Sequence, residues 1–117
     1  MKRWIVNAAE RTVREFDWRK PEPLGAEEFL YDAPTYADAM TAGSRRRLAE
    51  EALSHDSVLG HVSYNRFAIT ADRIECQASA TSEIAWRVTD LESALRGLGF
   101  DVWREGTGLV VLGRLSG

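Results

Sequence analysis

With 117 residues, 44% of them apolar and 28% charged, the chain is long enough for one domain with its own core, and its usage is too ordinary for a disordered or fibrous protein. It has no run of about 18 apolar residues, no apolar stretch of the signal-peptide kind at its N-terminus, and Cys76 as its single cysteine, which excludes a transmembrane helix, an internal disulfide and a cysteine-based metal cluster. A soluble, cytoplasmic protein is expected, and the net charge of −3 argues against a dedicated nucleic-acid coat, because binding phosphates needs a cationic face.

Arg3 to Asn7 and Thr12 to Trp18 are short segments rich in β-branched and aromatic residues, and they predict a first hairpin across Ala8 to Arg11. The competing reading is a helix over Ala8 to Glu15, but Trp4, Val6, Phe16 and Trp18 alternate better than they follow a helical period. Pro21 and Pro23, which cannot donate to a sheet ladder, then mark a connector.

From Pro21 to Gly43 there are five carboxylates, Glu22, Glu27, Glu28, Asp32 and Asp38, and no basic residue, interleaved with Phe29, Leu30, Tyr31 and Tyr36. The plain reading is a solvated loop and helix start, where acids favour the helix dipole. The functional reading is an acidic surface with aromatic anchors, carried by Glu27, Glu28, Tyr31, Asp32, Tyr36 and Asp38, that docks on a basic protein partner.

A helix over about 35–54 begins with Asp32 or Thr35 as cap and Pro34 in its first turn, and its apolar face runs through Tyr36, Met40, Leu48, Ala52 and Leu53. Arg45, Arg46 and Arg47 fit its interior better than a new helix start, where the dipole disfavours cations. Arg46 to Glu50 and Arg47 to Glu51 sit at i, i+4, so the triplet reads as a salt-bridged face. With Arg66 it is the alternative, a basic patch for nucleic acid.

Ser54, His55, Asp56, Ser57 and His61 are the one clustering of catalytic residue types. No Gly-x-Ser-x-Gly elbow is present, and His55 and His61 share no helical face, so the segment reads as a helix C-terminus followed by a loop through Gly60. A small enzyme using His55, Asp56 and His61 is the second alternative; no catalytic residue, cofactor or metal is assigned.

Arg66 to Thr70 and Arg73 to Ala78 predict a second hairpin, with Cys76 as a small core residue and Tyr64, Asn65 and Arg66 at its start as a contact patch or a plain polar loop. Ile84, Val88, Leu91, Leu95 and Leu98 make the apolar stripe of a helix over about 82–98, capped by Thr81 or Ser82 and stopped by Gly99. A strand over Ile84 to Val88, suggested by the alternation of Ile84, Trp86 and Val88, is the rejected alternative. The helix leaves Trp86 off the stripe, as a flank of the core or an exposed contact. Phe100 to Arg104 and Leu109 to Gly113 flank a glycine-rich turn and form a third hairpin.

The expectation is a single α+β domain, a mainly antiparallel sheet of three hairpins with two helices packed on it, in the order ββ-α-ββ-α-ββ. Its expected function is a small protein-protein interaction module without enzymatic activity. By analogy with acidic inhibitors carried by phages and mobile elements, a stoichiometric inhibitor or regulator of the anti-defence kind fits its size and charge.

Overall fold

Among the described residues the elements run βββ-αα-ββ-α-ββ, with seven strands in two antiparallel sheets and three helices. The computed structural model describes residues 1–78 and 81–115, and of Thr81 and Ser82 the backbone alone, so the predicted cap there lies outside the described residues. Among the described residues no helix is long and apolar enough to cross a membrane.

Strands β1 (Lys2–Asn7) and β2 (Thr12–Glu15) form the first hairpin as expected. The expectation missed β3 (Glu28–Ala33), which pairs with the other side of β1 to give a sheet of order β2-β1-β3. The segment read as an acidic loop is thus a strand. Phe29 and Ala33 point to the buried face and Leu30 and Asp32 to the other, the period of two that its acid content obscured.

Helix α1 (Tyr36–Leu53) starts where predicted, and Thr35 settles the cap, its hydroxyl accepting from the Asp38 N–H at 3.2 Å. The buried face differs from the expected one. It is made of Ala39, Ala42, Gly43, Ala49 and Ala52, while Tyr36 stays exposed. Small residues let one helix lie against both sheets: Ala39 and Ala42 join Trp4, Val6 and Phe29, and Ala49 and Ala52 join the larger core. Gly43 eases that approach, since a Cβ there would stand 3.1 Å from Val6 Cγ1 and the valine would have to give by a few tenths of an ångström.

The loop expected through Gly60 is helix α2 (Asp56–Asn65). His55 does not end α1 as a dipole partner; it caps α2, its Nδ1 accepting from the Ser57 N–H at 3.3 Å. Val58 and Val62, one turn apart, hold the helix on the core, and Arg66 ends it in the left-handed region at φ 57.

Strands β4 (Phe67–Thr70) and β5 (Arg73–Cys76), helix α3 (Thr81–Gly97), and strands β6 (Phe100–Glu105) and β7 (Gly108–Arg114) complete the chain. The helix rejects the strand reading of Ile84 to Val88. The second sheet has the order β4-β5-β7-β6, so β5 pairs with β7 and not only with its hairpin neighbour. One face carries Phe67, Ile74, Cys76, Leu109, Val111, Phe100 and Val102 into a core closed by Val88, Leu91 and Leu95 of α3. Burying those three aliphatic side chains contributes about 2 kcal/mol each, the main reason α3 holds its place.

Candidate functional site

Of the acids expected in a docking surface, Glu28, Asp32 and Asp38 are engaged within the chain. Asp32 and Glu28 lie on the outer face of the three-stranded sheet, and each has an arginine of the same sheet, Arg3 of β1 and Arg14 of β2. Arg3 Nε donates to Asp32 at 2.8 Å, and Arg14 Nη1 donates to Glu28 at 2.7 Å while its Nη2 donates to Glu22 at 2.9 Å. The Arg14 guanidinium, helped by the Gly25 N–H, holds the Glu28 carboxyl below its ordinary pKa, and Arg3 does the same for Asp32. Asp38 accepts from the Thr35 hydroxyl at the start of α1. Tyr31 faces inward with Phe29, and burial, reinforced by the Asp72 carboxylate, raises its phenol pKa. Tyr36 meets Trp4 edge-on, and Glu27 remains exposed.

Arg45, Arg46 and Arg47 are turned into the molecule. Arg46 Nη1 donates to the Ala71 carbonyl at 2.9 Å and its Nε to Glu50 at 3.0 Å, with the guanidinium over the Phe29 ring. Arg47 donates to the Ala8 carbonyl at 3.1 Å and to Ser44, not to Glu51, and burial lowers its pKa. Arg45 stands 3.7 Å from the buried Asp72. The three bind α1 to the turns of both sheets, while Arg66 is exposed at the end of α2.

The histidines are not brought together. His55 lies beside Asp56 in a cleft of about 470 Å³ with Glu51, Arg114 and Phe100, but its Nδ1 is occupied as a cap, which in the neutral ring leaves the proton on Nε2. His61 sits on the opposite side of α2 and donates from Nδ1 to Asp90 of α3 at 2.8 Å. Among the described residues no three His, Cys, Asp or Glu side chains are grouped as metal ligands.

Two surfaces emerge instead. The first is the face of the four-stranded sheet away from the helices. Trp103 of β6 pairs with Val110 of β7, and Glu105 and Glu75 both pair with Gly108. On this face Trp103 is 61% exposed, and three carboxylates, Glu75, Asp101 and Glu105, face one cation, Arg73, which lies 3.4 Å from Glu105. Burial would lower the Arg73 pKa, but Glu105 and Asp72 outweigh it and raise it. Gly108 is required there, since a Cβ would meet Glu75 Oε1 at 2.8 Å and the Ile74 carbonyl at 2.9 Å. Trp103 escaped the sequence reading, although its signal was present: it alternates with Phe100 and Val102, so it had to point to the other face.

The second surface lies between α2 and α3, where Trp86 and Tyr64, 51% and 78% exposed, flank the His61–Asp90 pair. Trp86 is thus exposed and not a buried flank of the core, and Tyr64 and Asn65 lie on the last turn of α2. Arg104 of β6 borders the adjoining hollow, donating to Thr89 Oγ1 and, at 2.8 Å, to the Ala85 carbonyl. Comparison with protein-family models, with curated proteins and with solved structures gives no match to this chain.

Proposed function

We propose that this chain is a small protein-binding module, acting as a stoichiometric inhibitor or regulator, that docks the uncovered face of its four-stranded sheet on a basic partner. The observation that carries the reading is an exposed tryptophan set among an excess of carboxylates on a sheet face that, among the described residues, no helix covers. Tryptophan supplies a large apolar area at small entropic cost and is enriched at interface hot spots. The carboxylates would steer a cationic surface onto it and set it against a second copy of itself, which would bring like charges together. The acidic, aromatic surface expected from residues 27–38 thereby moves to residues 75 and 101–105. The nucleic-acid reading is less favoured, because Arg46 and Arg47 of its patch already hold internal acceptors.

A photo-reactive benzoylphenylalanine at Trp103 should cross-link the partner in the native host, and one at Leu30, on the outer face of the other sheet, should not. With the purified partner, the pair Asp101→Lys and Glu105→Lys should weaken binding at least about tenfold and reduce its salt dependence. Glu27→Lys with Asp32→Lys should change it less than about twofold. A partner that cross-links from Leu30 and responds to the second pair alone would overturn the assignment.

A further inference from the structure

The cleft of about 400 Å³ between α2 and α3 combines acceptors with aromatic walls. His61 donates from Nδ1 to Asp90 at 2.8 Å, which fixes its ring against α3. Asn65 lines the same cleft, is 3% exposed, and its Oδ1 is buried without a hydrogen-bond partner. An unpaired buried amide oxygen is costly and invites a donor. Trp86 and Tyr64 supply the walls, and Asp90 is the one carboxylate among the lining residues. The neighbouring Arg87, which does not line the cleft, is neutralised by Glu83 at 2.7 Å and already lies over the Trp86 ring, so this ring does accept a guanidinium.

A carboxylate, an unpaired amide oxygen and two exposed aromatic rings suit the planar, cationic guanidinium of arginine. The geometry points to the α2–α3 cleft as a binding site for an arginine side chain of a polypeptide partner, its planar guanidinium lying against Trp86 and Tyr64 and donating toward Asp90 and Asn65. Lysine would satisfy the charge but neither the stacking nor the forked donors; citrulline would keep the shape and lose the charge. The inference stands apart from the sheet face, since its probe is a free peptide that need not touch Trp103.

The test is a titration of the full chain with the peptide Gly-Gly-Arg-Gly-Gly, followed through the Trp86 indole and His61 ring resonances, against the lysine and citrulline peptides. The arginine peptide should shift both resonances with at least about fivefold tighter binding than either control. Trp86→Ala and Asp90→Asn should each weaken it about tenfold. Gly60→Leu should block the cleft without unfolding the chain, because a Cβ at Gly60 meets nothing within 4 Å and leucine favours helix over glycine. Equal binding of the three peptides, no shift at millimolar arginine peptide, or undiminished binding to Gly60→Leu would overturn the assignment.

Discussion

Replacing Arg45, Arg46 and Arg47 together by alanine separates an internal clamp from a phosphate-binding patch. Arg46 is the most tightly engaged, with its side chain 20% exposed, one bond to the Ala71 carbonyl, one to Glu50, and its guanidinium 5.4 Å from the Phe29 centroid. Taking about 1 kcal/mol for a part-buried bond to a carbonyl, about 0.4 for the i, i+4 pair and about 0.5 for the cation–π contact, its loss costs roughly 2 kcal/mol. Arg47 makes two bonds but is itself desolvated, so a net cost of about 1 kcal/mol is expected. Arg45, 34% exposed and at 3.7 Å from Asp72, adds about 0.5 kcal/mol. Alanine returns a few tenths of a kcal/mol as the better helix former, and the shared turn at Ala71–Asp72 couples the sites, so the triple variant should lose about 3 kcal/mol. Urea unfolding followed by tryptophan fluorescence reads this directly, and at this chain length it corresponds to a fall of roughly 12 °C in Tm. A loss under about 1 kcal/mol, with retention of random duplex abolished in a gel shift, would refute the clamp and restore the patch.

Glu28 and Asp32 have folded-state pKa values below their unfolded ones, so their ion pairs stabilise fully above about pH 4 to 5 and are lost as pH falls through the lowered values. Urea midpoints measured across that window should therefore fall less steeply in the Arg3→Gln, Arg14→Gln variant than in the parent. Gly43→Ala should stay within about 0.5 kcal/mol of the parent, because about 1 kcal/mol of helix propensity is offset by moving Val6, whereas Gly43→Leu should cost at least about 2 kcal/mol in the same assay. Trp103→Ala should change stability by less than about 1 kcal/mol, whereas Leu95→Ala, fully buried, should cost about 2 to 5 kcal/mol; equal losses would mean that Trp103 belongs to the core.

Three hairpins and two of the three helices were legible because each shows a clean period and a physical stop. In α3 the stripe Val88, Leu91 and Leu95 is fully buried, and Gly99, at φ 90, ends the helix where the reading put its stop. What escaped had its period masked by composition. Glu28 and Asp32 give β3 the appearance of a solvated loop, since acids are poor strand formers, and the arginines that neutralise them come from β1 and β2, far away in sequence. Helix α2 was hidden by Gly60 and by the cluster at residues 54–57. The glycine costs helix propensity locally, and Val58 against the core offsets that loss only in the folded chain.

Strand pairing, not local sequence, decides which charges stay free. A run of like charges in sequence reports what one element carries, whereas a surface is the sum over strands that pair from elsewhere. Residues 21–43 hold five acids, yet Glu22, Glu28 and Asp32 are answered by two arginines on the same sheet. The acidic excess that survives pairing joins Glu75 of β5 to Asp101 and Glu105 of β6, three residues that no window of the sequence would have grouped, because β7 lies between their strands. Trp86 was the exception that local reading could find. A large aromatic off a strong apolar stripe must either disturb the helix or face outward, and its 51% exposure next to His61 and Asp90 shows that it faces outward, at a cleft where the buried Asn65 Oδ1 still lacks a donor.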